Sequence, residues 1–353
     1  MNRNCSAVFF ALLCFTAEAV KAAEPDLVLV GRQGKALTAV LEQQIEAPRL
    51  TAEEWILAIP VAPTLERQAD VRTSHMPAGR EVAEPNGRSR SLLRARVPVT
   101  EDSSRTKLTV RVEYTARLFE RRLVPAGRIP SDFEKLPLVE LSEAERAAYL
   151  RADAHHNFKD EAFEKWLAAN RLRRHRGETD LAFARRAFGA IVERFEYAYP
   201  PPPRDAVSTC TAAKGDCGSM CMLFSSILRA SGVPARSCFG RWAQSSRDDE
   251  KLGGIPYAQY HVKGEFFAEG LGWIPVDPSV AVTQSGKIPA EQFFGRDSGD
   301  FFTQHLEPDV VIDTIHFGEQ TIESCQLPPF WVRGSGSLEG LTTRDRWRVT
   351  LAE

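Results

Sequence analysis

The sequence predicts an α+β protein: a core in which a helix packs on an antiparallel sheet, preceded by a β-sandwich-like N-terminal domain. Three observations predict it. Residues 107–118, KLTVRVEYTARL, alternate apolar and polar six times, which makes a strand with one buried and one wet face. DCGSMCMLFSSILRASGVPA carries a helical apolar stripe from Met220 to Leu228 and stops at Gly232 and Pro234. YHVKGEFFAEGLGWIPVDPS then reads as two strands joined by a turn around Glu269 to Gly272.

With 353 residues the chain is long enough for two domains. A net charge of -2, with no block of like charges, offers no electrostatic case for nucleic acid or an anionic membrane. The first residues, MNRNCSAVFFALLCF, place Arg3 before an apolar run from Ala7 to Phe15, and small residues follow. This is the layout of a secretory signal peptide, expected over residues 1–23. The run is too short for a permanent anchor, and Leu13 before Cys14 argues against lipidation. The expected protein is exported, periplasmic or extracellular, with no stable membrane anchor after cleavage.

The elements follow in order. DLVLVG, LTAVLEQQIE and EWILAIPV are strand-like, and 65–91 is polar with Gly and Pro and reads as a long loop. Residues 24–128 form the sandwich-like domain. Ser142 with Glu145 makes a capping box that opens a helical connecting segment, 129–178. A second helix starts near Thr179 and runs DLAFARRAFGAIVERF; Pro200 to Pro203 then form a stiff extended link. Asp216 is the N-cap of the helix that begins at Cys217. ARSCFGRWA is a strand, and the polar stretch 244–256 is a loop placed to act as a lid. The core spans 179–290, and 291–353 is an extension packed on the core.

Without the leader, the cysteines are Cys210, Cys217, Cys221, Cys238 and Cys325. Five is odd, so at least one thiol is free or paired between chains. Cys217, at a helix start, lies where the helix dipole and free N–H groups favour a thiolate and can hold an oxyanion. A cysteine nucleophile needs an imidazole, and the imidazole needs an orienting carboxylate. Of seven histidines, His261 alone lies in a strand-like run downstream of this helix. Asp277 follows 16 residues on, at the matching end of the next strand, so an antiparallel pair sets the two close to opposite each other.

Cysteine on a helix end, histidine on one strand and aspartate on its neighbour is the papain-like order. In these residues the chain resembles the transglutaminase-like superfamily, in its bacterial exported members. Gly215 and Cys217, the run Arg229 through Arg236, His261 and Glu265, and Gly272, Trp273, Pro275, Asp277 and Pro278 carry the likeness. Lys263 departs from it, standing where the family usually has Trp, and Gly264 loosens the same strand. The resemblance implies a Cys217–His261–Asp277 triad and amide acyl transfer on a protein or peptide substrate, with no cofactor. Water as acceptor makes a protease or amidase, and an amine makes a transglutaminase. The family's second oxyanion donor is a side chain upstream of the cysteine, with Tyr197, Tyr199 and Gln259 as candidates.

Rival readings are weaker. The cysteines lack a Cys-x-x-Cys knuckle, and export disfavours thiolate zinc. Cys217 and Cys221 share a helix face and make a poor disulfide, so Cys221 is core; Cys210 and Cys238 are candidates for a bridge. His155 and His156 read as surface residues, and Trp273 as packing under Asp277. A different class of function remains open, a non-catalytic binding or assembly module on the same fold.

Overall fold

The computed structural model describes residues 26–85, 90–100 and 105–352. The expected signal peptide lies outside them. The strands β1 (Leu27–Glu46), β2 (Leu50–Pro60), β3 (Gln68–Met76), β4 (Arg80–Ala83), β5 (Ser91–Pro98), β6 (Lys107–Pro125) and β7 (Glu134–Lys135) come first. Next are α1 (Glu143–Tyr149), α2 (Glu161–Ala169), α3 (Asp180–Arg194), β8 (Glu196–Tyr197), α4 (Ala206–Ala212), β9 (Lys214–Gly215) and α5 (Cys217–Arg229). There follow β10 (Ala235–Trp242), β11 (Lys251–Leu252), β12 (Ile255–Pro256), β13 (Tyr260–Ala268), β14 (Gly272–Val276) and α6 (Pro278–Thr283). Last are β15 (Arg296–Asp297), β16 (Phe301–Leu306), β17 (Val310–Asp313), β18 (Glu319–Ile322), β19 (Phe330–Gly336) and β20 (Thr342–Ala352).

The N-terminal unit is a sandwich of two antiparallel sheets. One has the order β15-β6-β1-β20, with β3 on β6 and β7 on β1; the other has the order β19-β2-β5-β4. The alternation in β6 works as expected: Val110, Val112, Tyr114, Ala116 and Leu118 are buried while Arg111 is exposed. They meet Leu37, Leu41, Trp55, Leu57 and Trp347 in one apolar core. Two expectations are corrected here. The stretch read as a long loop contains β3 and β4, whose burial alternates only weakly because they are edge strands with polar faces. The final segment does not simply pack on the core. β16 joins the core sheet through β10, whereas β19 pairs with β2 and β20 pairs with β1, completing both sheets of the sandwich. Trp347 on β20, fully buried, explains why the strand returns there.

The second unit is the α+β core. Its sheet has the order β14-β13-β10-β16. Thr179 caps α3 as its sequence suggests, and Leu181, Ala184, Phe188 and Ile191 of that helix are buried. Beyond Cys217, α5 is buried all round, so it is the central helix of the core. Phe224 of α5 meets Phe188 of α3 and Phe266 of β13 edge-on. Alternation along β13 sends Val262 and Phe266 to α5, and His261, Lys263 and Glu265 to the face that meets the sandwich. That second face is charged: Glu265 pairs with Arg67 and Arg121 of the sandwich and with Arg236 of β10. Among the described residues no helix is long and apolar enough to cross a membrane.

Candidate active site

The site is assembled from the start of α5 and the ends of β13 and β14. Asp216 caps α5: its Oδ1 accepts from Ser219 N and Ser219 Oγ, both at 3.0 Å. Arg204 donates from Nε to Asp216 Oδ2 at 2.8 Å and from Nη1 to Glu323 at 2.7 Å. Gly215 is required immediately before the cap, because a Cβ there would lie 2.5 Å from Ser219 Cβ. Cys217 is therefore held at the first position of α5, half-buried, with Met222, Phe239 and Val262 behind it.

His261 and Asp277 meet at this point. His261 Nε2 lies 2.8 Å from Asp277 Oδ2. Cys217 acts on the same ring and favours its charged form; with Nε2 given to Asp277, Nδ1 is the nitrogen left for the thiol. Burial alone would pull the imidazole toward its neutral form; the Asp277 carboxylate and Cys217 outweigh it and push its pKa up to about 9. Asp277 is itself held below the usual carboxylate range: its burial opposes this, but the His261 charge and hydrogen bond prevail. Asp277 Oδ1 also caps α6, accepting from Ser279 Oγ and Val280 N at 3.1 Å. The register differs from the one inferred. Pairing of β13 with β14 ends at Gly264↔Val276, so position 261 is not opposite 277. Asp277 lies just past the strand, and its cap on α6 turns the carboxylate back to the ring.

Aromatic residues surround the imidazole. Trp242 stacks on His261 with centroids 4.5 Å apart and planes at 21°, and Phe301 meets the same ring edge-on at 5.8 Å. Neither was singled out from the sequence. Trp242 closes the run ARSCFGRW, and its place beside His261 follows from β10 pairing with β13, which spacing alone does not reveal. Burial first, then the neighbouring Cys217, raise the phenols of Tyr197 and Tyr257. Tyr257 donates its hydroxyl to Tyr260 O at 2.7 Å. Gln259 donates to Glu250, and Tyr199 packs under Gly253. Of the three sequence candidates for an oxyanion donor, Tyr197 is the one whose phenol is raised by the neighbouring Cys217.

The remaining candidates fall elsewhere. Cys221 is buried and donates to Val262 O at 3.3 Å, as a core residue does. Cys210, Cys238 and Cys325 are likewise buried, and the cysteines of the described residues are unpaired. Lys263 is buried between Asp297 and Asp300. Trp273 is not under Asp277; it lies at the far end of β14 against Phe267 and Tyr149, with Arg236 stacked 3.9 Å from its ring. His155 and His156, expected on the surface, are tucked inward beside carboxylates: Asp309 meets His155 at 3.0 Å and Asp153 meets His156 Nδ1 at 3.0 Å. Asp153, His156 and Glu307 lie close enough to suggest a metal site. However, Glu307 already accepts from Arg229 at 2.5 Å and Ser237 N at 2.8 Å, so the group reads as a buried ion network.

Comparisons agree with the resemblance seen in the motifs. A family model of the transglutaminase-like superfamily matches residues 169–278. The fold is similar to that of a proposed cysteine protease from Cytophaga hutchinsonii over 92% of this chain and 93% of that one, with a TM-score of 0.51 and 15% identity. A weaker match is the periplasmic domain of TgpA from Pseudomonas aeruginosa, at 17% identity and a TM-score of 0.33, over 77% of this chain and 94% of that one. An uncharacterized protein of Haemophilus influenzae is 29% identical over 86 residues, and this match spans 21% of the chain and 23% of that relative. Residues 169–278, which bring Cys217, His261 and Asp277 together on the α+β core, match the transglutaminase-like superfamily.

Proposed function

We propose that the protein is an exported, cysteine-dependent acyl-transfer enzyme acting on protein or peptide amides. The observation that carries this reading is the chain of contacts from Cys217 through the His261 ring to Asp277. The Cys217 thiolate attacks the amide carbonyl, and the carbonyl π electrons move onto oxygen. The Cys217 backbone N–H at the head of α5 and the Tyr197 hydroxyl hold that oxyanion. His261 gives its proton to the departing amine as the thioester forms, then takes one from the acceptor that cleaves the thioester. Asp277 fixes the ring and stabilises its charge throughout. Proton transfer of this kind contributes about 10² to 10⁴ in rate. The residues of the site perform these steps by themselves, so the reading requires no cofactor.

Export rests on the composition of residues 1–23, whose positive start and short apolar run read as a cleavable signal. In this reading the hairpin β11–β12 acts as a lid over Cys217. Its tip at Gly253 lies against Tyr199, since a Cβ on Gly253 would lie 2.5 Å from Tyr199 O. An isolated two-stranded hairpin is marginally stable in water, which suits a lid.

The test is to incubate the protein with a glutamine-containing peptide and a primary amine and to weigh the products. Chain cleavage or deamidation identifies hydrolysis, and amine incorporation identifies a transglutaminase. If each of these is absent for a panel of peptides, and Cys217 also resists alkylation, a non-catalytic binding module is the better reading.

A further inference from the structure

Two buried cations share one pair of aromatic rings beside the site. The His261 imidazole lies on Trp242 at 4.5 Å and against the edge of Phe301 at 5.8 Å. Lys263, two residues along the same face of β13, sets its Nζ 4.8 Å from the centre of the Trp242 ring and 5.2 Å from that of Phe301. Trp242 and Phe301 also touch each other, at 5.8 Å and 73°. The lysine is anchored on its far side by Asp297 at 3.5 Å and Asp300 at 3.4 Å.

We propose that Trp242, backed by Phe301, is a positioning residue: it holds the imidazole in the plane that serves Cys217 and Asp277 at once, and partitions it from the Lys263 ammonium. The inference rests on the proposed role of the Cys217–His261–Asp277 set. An aromatic face attracts a cation, and more strongly once water is excluded. The Trp242 face therefore favours the charged ring. Lys263 opposes it, as a like charge on the same sheet face. The charged groups that bear on His261 are Asp277 from the end of β14 and Cys217 from α5, while Lys263 of β13 shares its aromatic rings and has Asp297 and Asp300 behind it. Gln326 meets only its backbone, donating to His261 O at 2.8 Å.

This arrangement predicts opposite responses from two neighbours. Ring-¹⁵N-histidine-labelled protein is titrated by NMR, with the His261 signals identified by their loss in His261→Asn. Trp242→Leu should move the His261 midpoint down by about half a pH unit to one unit, the scale of a desolvated cation–π contact. Trp242→Phe, which keeps an aromatic face, should move it down by less. Lys263→Met should move it up. The Phe and Met variants carry the test should the Leu variant not fold. A midpoint unmoved in the folded tryptophan variants, or moved in the same direction as in Lys263→Met, overturns the proposal. Failure of the enzymatic reading looks different: wild-type Cys217 would then be inert to alkylation whatever His261 does.

Discussion

Burial by itself would keep the His261 imidazole neutral at pH 7, and the balance is reversed by one carboxylate and one thiol. With its pKa pushed up to about 9, the ring is a cation across the neutral range and loses that charge above it. Activity should therefore fall on the alkaline side with a midpoint near pH 9, read from the pH dependence of kcat/KM. Stability carries the same sign. The folded pKa lies above the unfolded value of about 6.5, so the contribution is complete below that pH and is lost as pH rises to about 9. Urea midpoints should decline across this window in the wild type and decline less in His261→Asn. Replacing Tyr197 by Phe should lower kcat by about tenfold or more and leave KM nearly unchanged, because the hydroxyl meets the oxyanion only as it forms. Cys217, His261 and Asp277 were legible in the sequence as a candidate set because each proposed role demands a residue type and a flank: a capped helix start, a strand, a strand end. Trp242 and Arg204 were not, because their roles come from cross-strand and loop neighbours far away in the chain.

At the level of elements, α5 and the β11–β12 hairpin are the parts that the proposed function assigns to holding and covering Cys217. Removing the Asp216 cap with Asp216→Ala should cost about 1 kcal/mol or more in chemical denaturation, since Arg204 also loses its buried partner. The hairpin is held at its base by Tyr257 N to Glu250 O at 2.9 Å and at its tip by the contact of Gly253 with Tyr199. Gly253 has φ +59°, so Gly253→Ala adds both strain and a clash and should lift the tip. A bulky maleimide should then reach Cys217 several-fold faster, while iodoacetamide, small enough to pass the closed hairpin, changes little. Equal rates for the bulky reagent in both proteins would remove the hairpin from the access route. Helix starts at Ser142, Thr179 and Asp216 were readable because capping chemistry is local. The edge strands β3 and β4 and the register of β13 on β14 were not, because pairing is decided by partners distant in sequence.

Across the whole molecule, the sandwich and the core are joined by charge. Glu265, fully buried, is met by Arg67, Arg121 and Arg236, and these three guanidiniums hold its carboxyl well below the usual range against the effect of burial. Breaking such a network from one side leaves uncompensated charge, so Glu265→Gln should cost about 3–5 kcal/mol in urea unfolding. The chain's return through β19 and β20 into both sandwich sheets escaped the sequence because those strands are mostly exposed and polar, with Trp347 as their main buried anchor. Among the described residues this architecture leaves Cys217 as the half-exposed thiol, while Cys210, Cys221, Cys238 and Cys325 are buried. The most direct measurement is therefore the rate of iodoacetamide alkylation at each cysteine, mapped by mass spectrometry in the wild type and in His261→Ala at neutral pH. Rapid alkylation confined to Cys217 and slowed at least tenfold without the imidazole is the predicted result. A Cys217 that reacts no faster than its buried neighbours, or at the same rate in both proteins, would contradict the nucleophile and with it the acyl-transfer chemistry.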